Sequence, residues 1–164
     1  MNTILSNIPQ GGISITAGIG AIWSGGAVGI TLQQDCSLAC VTLLLQGYDG
    51  KNGQTFAVEL WDNNTVINRP GFQVCTFNVP VPNDGSLAEF TFTVQGNANL
   101  TSGKKYWIFV YGKINPNYSS IQTCLNWVQG ANPVGSAIYN DSLNCVNSNF
   151  SPSPIIPVFS VKVN

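Results

Sequence analysis

Hydrophobic and polar residues alternate along most of this chain with a period of two. Gln54–Asp62 reads Gln-Thr-Phe-Ala-Val-Glu-Leu-Trp-Asp. That sets Phe56, Val58 and Leu60 on one side and Thr55, Ala57, Glu59 and Trp61 on the other. Leu87–Val94 likewise turns Phe90, Phe92 and Val94 inward and Glu89, Thr91 and Thr93 outward. Side chains of an extended strand point alternately to its two faces, so the pattern predicts antiparallel strands with one wet face. Lys105–Gly112 and Ala39–Gly47 are apolar on both sides, which predicts central strands covered on both faces. Further strands are expected at Ala27–Gln33, Phe72–Val79, Ile121–Val128, Val134–Tyr139 and Pro157–Val163. No window carries the i, i+3, i+4, i+7 apolar spacing of a helix.

Turn chemistry separates these runs: Asp49-Gly-Lys-Asn-Gly53, Asn68-Arg-Pro-Gly71, Pro82-Asn-Asp-Gly85, Thr101-Ser-Gly103 and Asn115-Pro-Asn117. Short strands with such spacing predict an all-β, antiparallel two-sheet β-sandwich. The length suits eight or nine strands, jelly-roll-like in connection. Residues 27–164 are read as a single domain. Residues 1–26, rich in Gly and Ile, are read as an extended or partly ordered N-terminal segment, buried against this chain or another. Ser148–Pro157, with Pro152, Pro154 and Pro157, is expected to run as polyproline II into the last strand.

Composition changes the picture of the surface. Only 8% of the 164 residues are charged and none is histidine, against roughly 25% charged in an average domain. Polar area therefore comes from Asn, Gln, Ser and Thr. The usual near-neutral proton shuttle is missing, so no catalytic set is assembled, and no enzyme and no cofactor are expected. The six cations are scattered except for one pair, without the clustered footprint of a nucleic-acid binder. No run is long and apolar enough to span a membrane as a helix. The net charge of −1 does little to keep copies apart. Met1–Gln33 is uncharged and lacks the positive start of a signal peptide. Either a leader was removed, or the chain reaches its place without general secretion, as a virion protein assembled inside a host cell would.

The segments Glu59-Leu60-Trp61-Asp62-Asn63, Pro70-Gly71, Phe90-Thr-Phe92, Leu100-Thr-Ser-Gly-Lys-Lys-Tyr106-Trp107-Ile-Phe-Val and Pro157-Val-Phe-Ser-Val-Lys-Val163 follow one another along the chain. Together they resemble the β-sandwich of the choice-of-anchor family of bacterial surface proteins. The likeness runs from Ala27 to Val163. It implies an extracellular or surface-exposed, non-enzymatic sandwich and carries over no binding residues.

The five cysteines leave at least one unpaired within the chain. Cys36 with Cys40, and Cys124 with Cys145, stand equally as disulfides or as buried thiols; Cys75, in an alternating strand, suits a buried thiol. N-x-Ser/Thr sequons at Asn63, Asn99, Asn117, Asn140 and Asn149 are compatible with glycosylation. Glu59 and Glu89 read as solvent-facing strand charges. Asp49 and Asn52 give a weak calcium loop, short of the six to eight oxygens calcium takes. Sugar recognition uses aromatic faces beside amides. Trp61 with Asp62, Asn63 and Asn64 is the first candidate platform, and Trp127 with Asn126 and Gln129 the second; Trp107 and Trp23 are expected in the core.

Two functions follow as expectations. One is a structural subunit of a virion, filament or cell-surface assembly, located on an extracellular surface or virion, whose partners are copies of itself or other subunits. The other is a lectin-like module that binds glycans.

Overall fold

The computed structural model describes residues 1–8, 16–19, 25–50, 56–112, 125–146 and 149–164. Among them there is no helix, and none therefore long and apolar enough to cross a membrane. The strands are β1 (Asn2–Ser6), β2 (Thr16–Ile19), β3 (Gly25–Thr31), β4 (Cys36–Gln46), β5 (Phe56–Asn64), β6 (Arg69–Asn78) and β7 (Ala88–Val94). They continue with β8 (Asn99–Leu100), β9 (Lys105–Gly112), β10 (Leu125–Val128), β11 (Val134–Gly135), β12 (Ile138–Val146), β13 (Asn149–Ser153) and β14 (Phe159–Val163).

All pairings are antiparallel, and the path runs β11-β1-β14-β4-β7-β6-β5-β9-β3-β12-β13. Strand β6 is the corner. Its residues Arg69–Thr76 pair with β5, whereas Phe77 and Asn78 pair with β7. Register shifts around Trp61 bend the β5–β6 pair before that corner. The sheet curls there, and both halves set one face on a common core. Val41, Leu43, Phe90, Phe92, Phe159 and Val161 come from one half; Val28, Ile30, Val58, Leu60, Ile108 and Val110 come from the other.

The all-β, antiparallel reading holds. Among the described residues the hydrogen bonding is one continuous sheet of fourteen strands, where eight or nine were expected. Part of the excess is two-residue strands such as β8 and β11, too short to show as alternation. The opening residues are stitched into the sheet: β1 lies between β11 and β14, with Ile4 and Leu5 buried in this chain's own core. The expected turn at Asn68–Gly71 sits earlier, at Thr65–Asn68, and Arg69 already begins β6. The proline-rich run is partly a strand, because β13 pairs with β12 from Asn149 to Ser153. Trp23, Asn52, Asn117 and Cys124 lie outside the described residues.

Candidate functional site: the outer face of β5, β9, β3 and β12

Strands β9 and β5 lie at the middle of their half and are apolar on both faces, as the sequence predicts for Lys105–Gly112. One face lines the common core. The other carries a second cluster of Ala27, Trp107, Phe109, Leu143 and Cys145, with Trp61, Tyr111 and Phe150 packed against it. Phe109 stacks on Tyr111 with centroids 4.7 Å apart and meets Phe150 at 5.2 Å and the edge of Trp61 at 6.3 Å. Aromatic contacts of this kind, within β9 and from β9 to Trp61 of β5 and Phe150 of β13, add to burial in holding a sheet.

Glu59 lies under this cluster, and its expected solvent-facing position is corrected. It is only 5% exposed. Trp61 Nε1–H donates to Glu59 Oε2 at 2.9 Å, and the Tyr111 hydroxyl donates to Glu59 Oε1 at 2.9 Å. Alternation did place Glu59 on the face opposite the core, but that face is roofed by aromatic rings. Two neutral donors satisfy the carboxylate there. Burial, and then the bond to Glu59 and its charge, push the Tyr111 phenol well above its ordinary value. Beside Glu59, where β6 leaves β5 for β7, a notch of about 270 Å³ opens over Phe56, Val58 and Phe77, rimmed by Thr76, Val79 and Gln95. The rim is tied to itself: Thr76 Oγ1 donates to Gln95 Oε1 at 2.7 Å, and Gln95 Nε2 donates to Asn78 Oδ1 at 2.9 Å.

A polar constellation adjoins the aromatic cluster. Lys105 Nζ lies 4.0 Å from the Trp107 ring centroid and 2.6 Å from Asp141 Oδ1. It also donates to Asn68 Oδ1 at 2.9 Å, while Asn68 Nδ2 donates to Asp141 Oδ2 at 3.1 Å. Trp107 itself is fully buried, and its Nε1–H donates to Asn63 Oδ1 at 2.8 Å.

The first candidate platform is engaged in holding the fold. Trp61 is half-buried and its N–H is given to Glu59. Asp62 Oδ1 accepts the Phe72 N–H at 2.6 Å, Asn63 accepts from Trp107, and Asn64 Oδ1 accepts the Val66 N–H at 3.1 Å. The second platform is a correction. Trp127 is 1% exposed and donates Nε1–H to the Val158 carbonyl at 2.8 Å, so its ring offers no open face. Its strand β10 pairs on both sides, with β2 and β4, and that covering was invisible in the local sequence. Asn126 pairs through its backbone with Gly18 and Gln46; Gln129 is exposed and bridges Pro157.

Of the two open readings of Cys36 and Cys40, the disulfide falls and the thiol holds, with Cys40 buried and Cys36 half-buried. Both are thiols on β4. Four steps of extended chain separate their Cα atoms by about 13 Å, far beyond the roughly 4.4–6.8 Å a bridge spans. Cys145 is buried in the outer cluster, and its proposed partner Cys124 lies outside the described residues. Cys75 is buried in the common core, and burial pushes its thiol up to about 11, against a smaller opposing effect of a hydrogen bond with the Leu60 backbone. Asp49 is half-buried, and among the described residues no group of three or more His, Cys, Asp or Glu could hold a metal ion.

The sequence reading missed Lys105, Asn68, Asp141 and Tyr111. One signal was available: a lone lysine opening an otherwise apolar strand. No family model matches the chain, and no curated protein matches it either.

Proposed function

We propose that this chain is a non-enzymatic structural protein, a subunit of a virion, filament or cell-surface assembly, and that its partner is a second copy of itself. We read the curled sheet as a sandwich of jelly-roll type, the two halves being its layers. One observation carries the proposal: an apolar strip on the β5–β6 hairpin and along β6. Val66 is 91% and Phe72 81% exposed, with Ile67 and Val74 beside them. Large exposed side chains grouped on one element mark contact surfaces more often than scattered ones do. Among the described residues, Arg69–Cys75 of β6 has no strand on its second edge. Such an edge is a ready template for another strand. Arg69 is the one charged residue within that stretch, and a net charge of −1 leaves little repulsion between copies.

Sedimentation velocity over a concentration series tests this. The wild-type chain is expected to associate, and a Val66→Ser, Phe72→Ser double variant to need at least about tenfold more protein, since each 1.4 kcal/mol of lost contact is a factor of ten. A wild-type chain that stays monomeric at high concentration overturns the reading.

A further inference from the structure

Lys105, Asn68 and Asp141 stand in an order that a simple ion pair does not require. Lys105 enters from β9 and Asp141 from β12, and the two meet across β3, the strand between them. The residue beneath is Gly29, whose backbone is in register with both Trp107 and Asp141. A Cβ there would lie 2.6 Å from Asp141 Oδ1 and 2.6 Å from Lys105 Cε, so glycine makes the room in which the two side chains meet. Asn68 arrives from the turn between β5 and β6. Its φ is 51°, in the left-handed region that costs a non-glycine residue energy, and its N–H donates to the Asn64 carbonyl at 2.8 Å. That conformation delivers its amide with the carbonyl on the lysine nitrogen, at 2.9 Å, and the NH₂ on the aspartate, at 3.1 Å.

We propose that Lys105 and Asn68 become joined by an intramolecular amide bond, with Asp141 carrying the protons. The amine to be acylated, the carbonyl to be attacked and the leaving nitrogen each already touch the group they need. A proton passes from the Lys105 ammonium to Asp141 Oδ1, giving a neutral amine and a carboxylic acid. The Nζ lone pair forms a bond to Asn68 Cγ, and the Cγ–Nδ2 bond breaks. Asp141 supplies a proton to Nδ2 through Oδ2 and takes one from Nζ through Oδ1. Ammonia leaves and carries off the last proton as ammonium, so Asp141 ends as a carboxylate and Nζ keeps one hydrogen. No oxidant or other reactant is consumed.

Two features favour the approach. The Lys105 side chain is 14% exposed, and the Trp107 ring lies on one side of Nζ, so its reach is narrowed toward Asn68 and Asp141. Holding nucleophile and carbonyl in contact replaces a bimolecular encounter, and such placement is worth effective molarities of about 10⁵ M or more. The bond would tie the turn bearing Val66 and Ile67 to β9 at the middle of its half. It deepens the assembly reading only in purpose, because a tied hairpin is a firmer contact element.

The test is the intact mass of the full-length, reduced, denatured chain. It is expected about 17 Da below the sequence mass, the mass of ammonia, with one branched tryptic peptide containing Lys105 and Asn68. Lys105→Met and Asn68→Ala are expected at full mass; these are read on denatured protein, so folding defects do not confuse them. Asp141→Ala, checked as folded by circular dichroism, is expected to stay at full mass. The full sequence mass in the wild-type chain after prolonged incubation would overturn the proposal. A loss of about 18 Da, the mass of water, with Lys105 linked to Asp141, overturns Asn68 as the acyl partner. Complete bond formation in folded Asp141→Ala overturns the proton carrier. Mass reads the bond and sedimentation reads the association, so either idea can fail alone.

Discussion

Strands β5 and β7 have nearly the same pattern in sequence and opposite fates in the fold. Each turns three apolar side chains to the core: Phe56, Val58 and Leu60 in one, Phe90, Phe92 and the half-buried Val94 in the other. Their second faces differ. Glu89, Thr91 and Thr93 of β7 are exposed, as alternation predicts. Ala57 and Glu59 of β5 are buried and Trp61 is half-covered. The difference lies in the neighbours. On its second face β7 meets the Thr42 hydroxyl of β4, 3.0 Å from that of Thr91. On its second face β5 meets Phe109 and Tyr111 of β9, and the rings close over it. Period-two alternation states which side chains share a face and leaves open whether that face is wet.

Substitutions can break this contrast, and the largest effect is expected at the base of the roof. Trp107→Ala empties a fully buried site and strands the Asn63 carbonyl; a loss of about 3–5 kcal/mol in urea unfolding is expected. Glu59→Ala leaves the Trp61 and Tyr111 donors without an acceptor in a covered place, which should cost on the order of 3 kcal/mol. Equal effects for Glu59→Ala and Glu89→Ala would end the distinction between the two faces.

Alkaline titration probes burial next. The Cys75 thiol is raised by burial from its ordinary value of 9.0 to about 11. A raised folded value means that the folded chain holds its proton longer than the unfolded one. The stabilisation is therefore complete below pH 9 and is lost as pH climbs toward 11, by about 2–3 kcal/mol in all. The unfolding free energy should fall across that window, and Cys75→Ala should flatten the fall. Tyr111, raised in the same sense, prolongs the decline above pH 10. On the wet face, Thr91→Val removes one hydroxyl pair and is expected to cost less than about 1 kcal/mol. Glu89→Ala should stay within about 0.5 kcal/mol. A larger loss at either position, read by the same urea titration, would show that β7 too is covered.

The same contrast explains how far the candidate site was legible. The inward residues of β5 and β7 could be read because a local period of two reports them, and the two-sided apolar runs of β4 and β9 marked central strands. The site depends on partners distant in sequence. Lys105, Asn68 and Asp141 come from three segments, and only the pairing of β3 with both β9 and β12 brings Lys105 to Asp141. Trp127 looked like a platform because Asn126 and Gln129 flank it; pairing on both sides of β10 buried its ring.

The sequence by itself determined the antiparallel all-β class and, in β5 and β7, the side that faces the core, because these follow from alternation and turn residues along a single stretch. Tertiary structure alone decided the curl at β6, the roof over Glu59, the loss of Trp127 as an open ring and the meeting of Lys105 with Asn68 and Asp141. Those depend on which strands become neighbours, and strand order is set by packing energy summed over the whole core.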